Sequence, residues 1–169
     1  MSINAIKILR SKKRRRTVSA RILKDTLIVR APAHIPESRL EKVIAELKAR
    51  IERKQLKDEL NKHENLTQRA KEFNLQYFGN TLKISSIEYV TDQNSRFGSC
   101  NYQTGCIRIS QRISAMPQWV RDYVIIHELA HLVVPNHSQA FWDVVNRYKF
   151  TERARGYLLA MGDKEDVPF

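Results

Sequence analysis

The 169-residue sequence predicts an α+β fold on three observations. Short runs in which apolar residues alternate with others cluster near the N-terminus and again before residue 110, as half-buried strands do. Between them, from about Glu37, apolar residues recur at helical spacing. From Trp119 to Val134 the chain is apolar nearly all round, which is the composition of a helix buried inside a small domain.

Residues 3–30 read as a short antiparallel set made of Ile6-Lys7-Ile8-Leu9, Val18-Ser19-Ala20-Arg21-Ile22 and Leu27-Ile28-Val29. The basic run Lys12–Arg16 falls at the expected hairpin end between the first two, and Asp25 in the turn before the third. Pro32 and Pro36 close this set. A long helix is expected from near Glu37, with Leu40, Val43, Ile44, Leu47 and Ile51 on its packing face and charge on the other. Leu56–Lys62 is nearly all polar, an exposed extension or a hinge. A second helix over about Leu66–Asn74 precedes strands near Leu82–Val90 and Gly105–Ser110. The apolar helix follows and should stop at Val133 or Val134, because Pro135 lacks an N–H and disfavours helix at the residue before it. Ser138 is a candidate N-cap for a helix over about Gln139–Tyr148, whose Phe141, Trp142 and Val145 supply a packing face, and one more helix ends the chain. The expected organisation is a basic N-terminal part, residues 1–62, and a second part, residues 63–169, packed as one compact unit.

Charge divides the same way. Residues 1–62 hold 18 Lys and Arg against 7 Asp and Glu, whereas residues 63–169 hold 12 against 11. The densest run, Lys12-Lys13-Arg14-Arg15-Arg16, reads either as a solvated hairpin end or as a surface for phosphates of nucleic acid or nucleotide. No aromatic residue is interleaved with it, which argues against a base-stacking platform for single strands. The sequence has no apolar span of membrane-crossing length and no apolar region of a signal peptide at its start, so a cytoplasmic protein with no membrane partner is expected. Two cysteines, Cys100 and Cys106, flank a likely turn and are too few for a disulfide framework.

The chemistry is concentrated in His127-Glu128-Leu129-Ala130-His131 and in His137. On a helix, His127 and His131 lie one turn apart on one face, with Cβ atoms roughly 5–6 Å apart, so both imidazoles can reach one ion. A catalytic zinc keeps three protein ligands and leaves a fourth position open, and His137 is the natural third ligand. Glu128 is turned about 100° from His127, so it flanks the open position as a general base rather than a ligand. Two histidines on an apolar face can also be satisfied core residues, but burying imidazoles there is costly unless they are paired or metallated. Three of the chain's five histidines fall within this one segment. The ligand spacing is the metzincin one, yet the glycine of that pattern is replaced by Val134, whose β-branched side chain tolerates positive φ poorly. Met161 reads as a core methionine of the last helix rather than a Met-turn.

A wider set of motifs accompanies the site: Tyr77-Phe78-Gly79, Ser95-Arg96-Phe97-Gly98-Ser99-Cys100, Gly105-Cys106-Ile107-Arg108-Ile109-Ser110, Met116-Pro117, Asp122-Tyr123-Val124, Phe141-Trp142 and Glu152-Arg153-Ala154-Arg155-Gly156-Tyr157-Leu158. With these, the chain from about Tyr77 to Leu159 resembles the YgjP-like small zincin metallopeptidases, often labelled M48-type or predicted metal-dependent hydrolases. Phe97 stands where that family has tryptophan. The resemblance implies a zincin-like domain, a metal held by His127, His131 and His137, and Glu128 as the catalytic residue.

The expected function is therefore a zinc-dependent hydrolase with one Zn2+ per chain, foremost a metallopeptidase in which Glu128 activates a zinc-bound water against a peptide or protein substrate. A nucleotide phosphohydrolase using the same site is the alternative, and a nucleic-acid-associated protease or a structural metal site is a third reading. Tyr148, Arg153, Arg155 and Tyr157 are candidates for stabilising an oxyanion by their nearness in sequence to His137. The strand Cys106–Ser110 is a candidate edge on which an extended peptide adds as a further strand.

Overall fold

The computed structural model describes residue 3 and residues 5–162. The chain divides into two compact units, Met1–Gln55 and Leu56–Phe169.

In the first unit, three strands, β1 (Ala5–Ser11), β2 (Ser19–Leu23) and β3 (Thr26–Pro32), are followed by the helix α1 (Glu37–His63), whose C-terminal turns belong to the second unit. The strand order is β1-β3-β2, with β1 parallel to β3 and β2 antiparallel to it. Leu27, Val29 and Ala31 of β3 are fully buried with Leu40 and Ile44 of α1. The basic run is therefore not a hairpin end. It connects the two outer strands, while the tight hairpin is β2–β3, turned at Lys24 in the left-handed region (φ 55). Alternation marks a strand and its buried face without naming its neighbour. The strand with most apolar surface to bury takes the centre, and here that is β3.

The second unit holds α2 (Leu66–Phe78), β4 (Ser86–Val90), β5 (Gly98–Asn101), β6 (Cys106–Ser110), a 3-10 turn at Gln111–Ile113, α3 (Gln118–Ala130), α4 (Gln139–Val145) and α5 (Thr151–Ala160). The polar end of α1 stays helical and clasps β4. Asn61 donates to Tyr89 O and accepts from Tyr89 N–H at 3.0 and 2.8 Å, and Lys57 Nζ lies 2.9 Å from Glu88 Oε1. Asn65 caps α2 by accepting from the Gln68 N–H, and Gly79 ends it at φ 59, where a glycine costs least.

Sheet order is β4-β6-β5, with β4 parallel and β5 antiparallel to β6. The strand expected at the edge, Cys106–Ser110, is thus central, and β5 is an edge. Ile107 and Ile109 are fully buried with Tyr123, Ile126 and Leu129 of α3 and with Phe141 and Val145 of α4. Across α2 and α3, Arg69 grips the buried Asp122 with two hydrogen bonds of 3.0 and 2.8 Å, and Gln118 adds a third of 2.7 Å. Helix α3 ends at Ala130, earlier than Pro135 alone requires. Residues 132–134 close instead in tight turns, with N–H groups bonded to the carbonyls of Leu129 and Ala130. Met161 caps α5 and is half exposed rather than in the core.

Candidate metal centre

Helix α3 is buried along most of its length, so it carries His127 and Glu128 into the interior of the second unit. His131 forms its C-cap, and the turns that follow bring His137 back beside both. Nε2 of His131 lies 3.2 Å, and Nε2 of His137 3.1 Å, from Nε2 of His127. Ligands about 2.0–2.1 Å from a tetrahedral zinc stand roughly 3.3 Å from one another, so three nitrogens at this spacing suit one ion.

The outer ring nitrogens support the same arrangement. His131 Nδ1 lies 3.2 Å from Val134 O, an acceptor only, so Nδ1 carries the proton and Nε2 presents a lone pair. The Tyr123 hydroxyl oxygen, 3.4 Å from His127 Nδ1, is placed to accept from it in the same sense. Burial, reinforced by the neighbouring His131 and His137, holds the pKa of His127 well below its ordinary value, so this imidazole stays neutral as a ligand must. Three neutral imidazoles aiming lone pairs at one point repel each other unless a cation lies between them. The donor set therefore fits a zinc-like metal.

Phe141 is the floor of the cluster. Its ring centroid lies 4.9, 4.5 and 4.7 Å from those of His127, His131 and His137, and it is wholly buried. Trp142 stacks on His137 at 5.7 Å between centroids, so the ligand on the loop is held by an aromatic face as well as by the chain. The helical spacing of Phe141, Trp142 and Val145 predicts a packing face, but not that Phe141 and Trp142 pack against the ligands.

A hollow of about 350 Å3 opens beside the histidines. Glu128, His131 and His137 line one side, and Gly98, Ser99 and Cys100 of β5 another. Glu128 is 4 % exposed and faces this hollow. Arg96, Tyr102 and Pro135 complete the rim. Strand β5 was not foreseen as an element, because Gly98-Ser99-Cys100-Asn101 has no β-branched or aromatic residue to mark it.

The four oxyanion candidates do not line the hollow, although Arg155 lies near enough to His127 to help lower its pKa. Tyr148 donates to Trp119 O at 3.1 Å, and burial pushes its hydroxyl up to about 12. Tyr157 packs edge-on against Trp119, with Arg153 over the same ring, and Arg155 covers Trp142 and pairs with Glu152.

Comparison with known proteins agrees with this geometry. Residues 86–149 match the family described as YgjP-like, metallopeptidase domain. That YgjP-like segment runs from β4 through α4 and so contains all three histidines and Glu128. The fold is similar to that of the metallopeptidase zymogen abylysin of Pyrococcus abyssi, with a TM-score of 0.50 at 16% identity over 57% of this chain and 93% of that one. The zymogen of jannalysin from Methanocaldococcus jannaschii gives a TM-score of 0.49 at 16% identity over 58% and 97%. No curated protein matches. The family match covers 64 of the chain's 169 residues, and the likeness to the abylysin zymogen is one of fold. No described helix is long and apolar enough to cross a membrane.

Proposed function

We propose that the chain is a zinc-dependent peptidase in which His127, His131 and His137 hold one metal ion and Glu128 is the general base. The observation that carries this reading is the meeting of three Nε2 atoms, within 3.1–3.2 Å of His127, beside a hollow that a buried carboxylate also lines. The chemistry a bound zinc supplies is Lewis acidity, which polarises a carbonyl and eases deprotonation of water near neutral pH.

The chain's own residues do the rest. Glu128 accepts the proton of the attacking water and returns it to the departing amine, a cycle that needs a carboxylate within reach but outside the ligand set. Its burial against β5 keeps bulk water from competing for that proton. Phe141 and Trp142 hold the imidazoles at fixed angles, so little reorganisation is needed when substrate arrives. An extended peptide laid along the free edge of β5 would form main-chain hydrogen bonds beside the hollow, which suits a peptide or protein substrate. Two free thiols fit a reducing, cytoplasmic setting.

The test is metal content and peptide hydrolysis measured together. Parent protein should carry about one zinc per chain, and His137→Ala should lose most of it. Glu128→Gln should keep its zinc while hydrolysis of a peptide library falls about 10²-fold. Full zinc occupancy in His137→Ala, or undiminished hydrolysis in Glu128→Gln, would overturn the assignment.

A further inference from the structure

The first unit has a charge balance that its fold does not need. From residue 3 to residue 36 the sequence has ten Lys and Arg and a single acid, Asp25. The connection between β1 and β2 brings this charge to the N-terminal end of α1. There a cavity of about 440 Å3 is rimmed by Arg15, Arg16, His34 and Arg39, with Val18 and Ile35 among its apolar walls and no carboxylate in its lining.

The neighbouring groups are arranged so that the rim stays cationic. Glu37, the acid closest in sequence to His34, is already paired with Arg10, which also donates to the Ile35 carbonyl. Arg14 turns back to Thr17 and Ser19 and so fastens the connection that presents Arg15 and Arg16. Among the described residues, the side chains of Arg15, Arg16 and Arg39 are exposed and have no hydrogen-bond or ion-pair partner. Three guanidiniums around one concavity repel each other, and a phosphate is the group whose geometry several of them can share.

We propose that this cavity seats a backbone phosphate of nucleic acid, with adjoining phosphates over the exposed Lys12 and Lys13. A polymer is favoured over a small anion because the excess of one sign extends across the whole strand segment rather than the cavity alone. The first 55 residues contain no Phe, Trp or Tyr, so the contact is to phosphates and not to stacked bases, and binding is indifferent to sequence. This goes beyond the peptidase reading and stands independently of it.

Binding of a fluorescent duplex oligonucleotide to the full chain, followed by anisotropy between about 50 and 200 mM salt, tests the assignment. The Arg15→Ser/Arg16→Ser/Arg39→Ser protein should bind about tenfold or more weakly at the low-salt end, with a log–log salt slope shallower by about 2–3, close to one unit per lost phosphate contact. Arg39→Ser alone should lower the slope by about one. The charge-matched Lys62→Ser/Lys71→Ser/Lys83→Ser protein, altered in the second unit, should keep the parent slope. Equal losses in both triple variants, no binding by the parent at about 50 mM salt, or displacement of the oligonucleotide by millimolar mononucleotide or inorganic phosphate would each overturn the proposal.

Discussion

Gly98 of β5 and Glu128 of α3 occupy adjoining space so closely that a β-carbon at position 98 would stand 2.7 Å from both Cδ and Cγ of Glu128. Non-bonded carbons do not approach that far, and the backbone of Gly98 is not in the left-handed region. The glycine is there to admit the carboxylate. Gly98→Ala should therefore displace Glu128 while leaving the histidines, which are held from α3 and the turn after it, able to bind metal. Peptide hydrolysis is expected to fall by about 10²-fold with zinc content unchanged, the loss typical of a reacting group moved by about an ångström. Parent-level hydrolysis in Gly98→Ala would show that Glu128 tolerates displacement or has no part in the reaction.

This close approach was beyond the reach of sequence reading, and the reason is physical. The histidines and Glu128 were legible because helical periodicity alone fixes which residues share a face, and Pro135 alone demands a turn before His137. The packing face of Phe141 and Trp142 was legible too, by spacing, but its occupant was not. Strand β5 carries no propensity signal, since its residues are chosen for closeness to α3 rather than for a pleated surface. In the first unit the three strands and the antiparallel β2–β3 hairpin are as the sequence predicts, but the partner of β1 is not. Ile6 and Ile8 have the same alternation whether their partner is β2 or β3, and only assembly decides for β3.

The polar end of α1 illustrates a further limit. Leu56–Lys62 reads as a solvated extension, yet Asn61 there substitutes for a strand by pairing with both backbone groups of Tyr89, a fully buried residue. Asn61→Ala would leave that N–H and that carbonyl without partners. An unsatisfied buried backbone group costs about 1–3 kcal/mol, and solvent at the half-buried Asn61 recovers part of it, so a net loss of about 2 kcal/mol is expected. Thermal unfolding should shift down by roughly 5 °C. An unchanged midpoint would mean that water replaces the amide at no cost and that β4 needs no clasp.

The two cysteines give a test of the hollow that needs no substrate. They lie on paired strands one step out of register, Cys100 opposite Ile107 and Cys106 opposite Asn101, and both are free. Burial pushes the Cys100 thiol up to about 12, and the Glu128 carboxylate and Cys106 add to the shift. Hydrogen bonds with the Ser86 and Thr104 groups, chiefly Ser86, bring Cys106 below its ordinary value. Because the thiolate is the reactive form, raising pH through a thiol's pKa raises its rate and then leaves it level. At pH 8 the Cys100 thiol is therefore held protonated, whereas Cys106, with its pKa lowered, ionises more readily. Iodoacetamide followed by peptide mass mapping should therefore find Cys106 modified at least about 100-fold faster. Its rate should level off at moderately alkaline pH while that of Cys100 keeps climbing about tenfold per pH unit. Equal rates at pH 8, or Cys100 reacting first, would mean that the wall of the hollow beside Glu128 is wet and polar, and the exclusion of bulk water assigned to this site would fail with it.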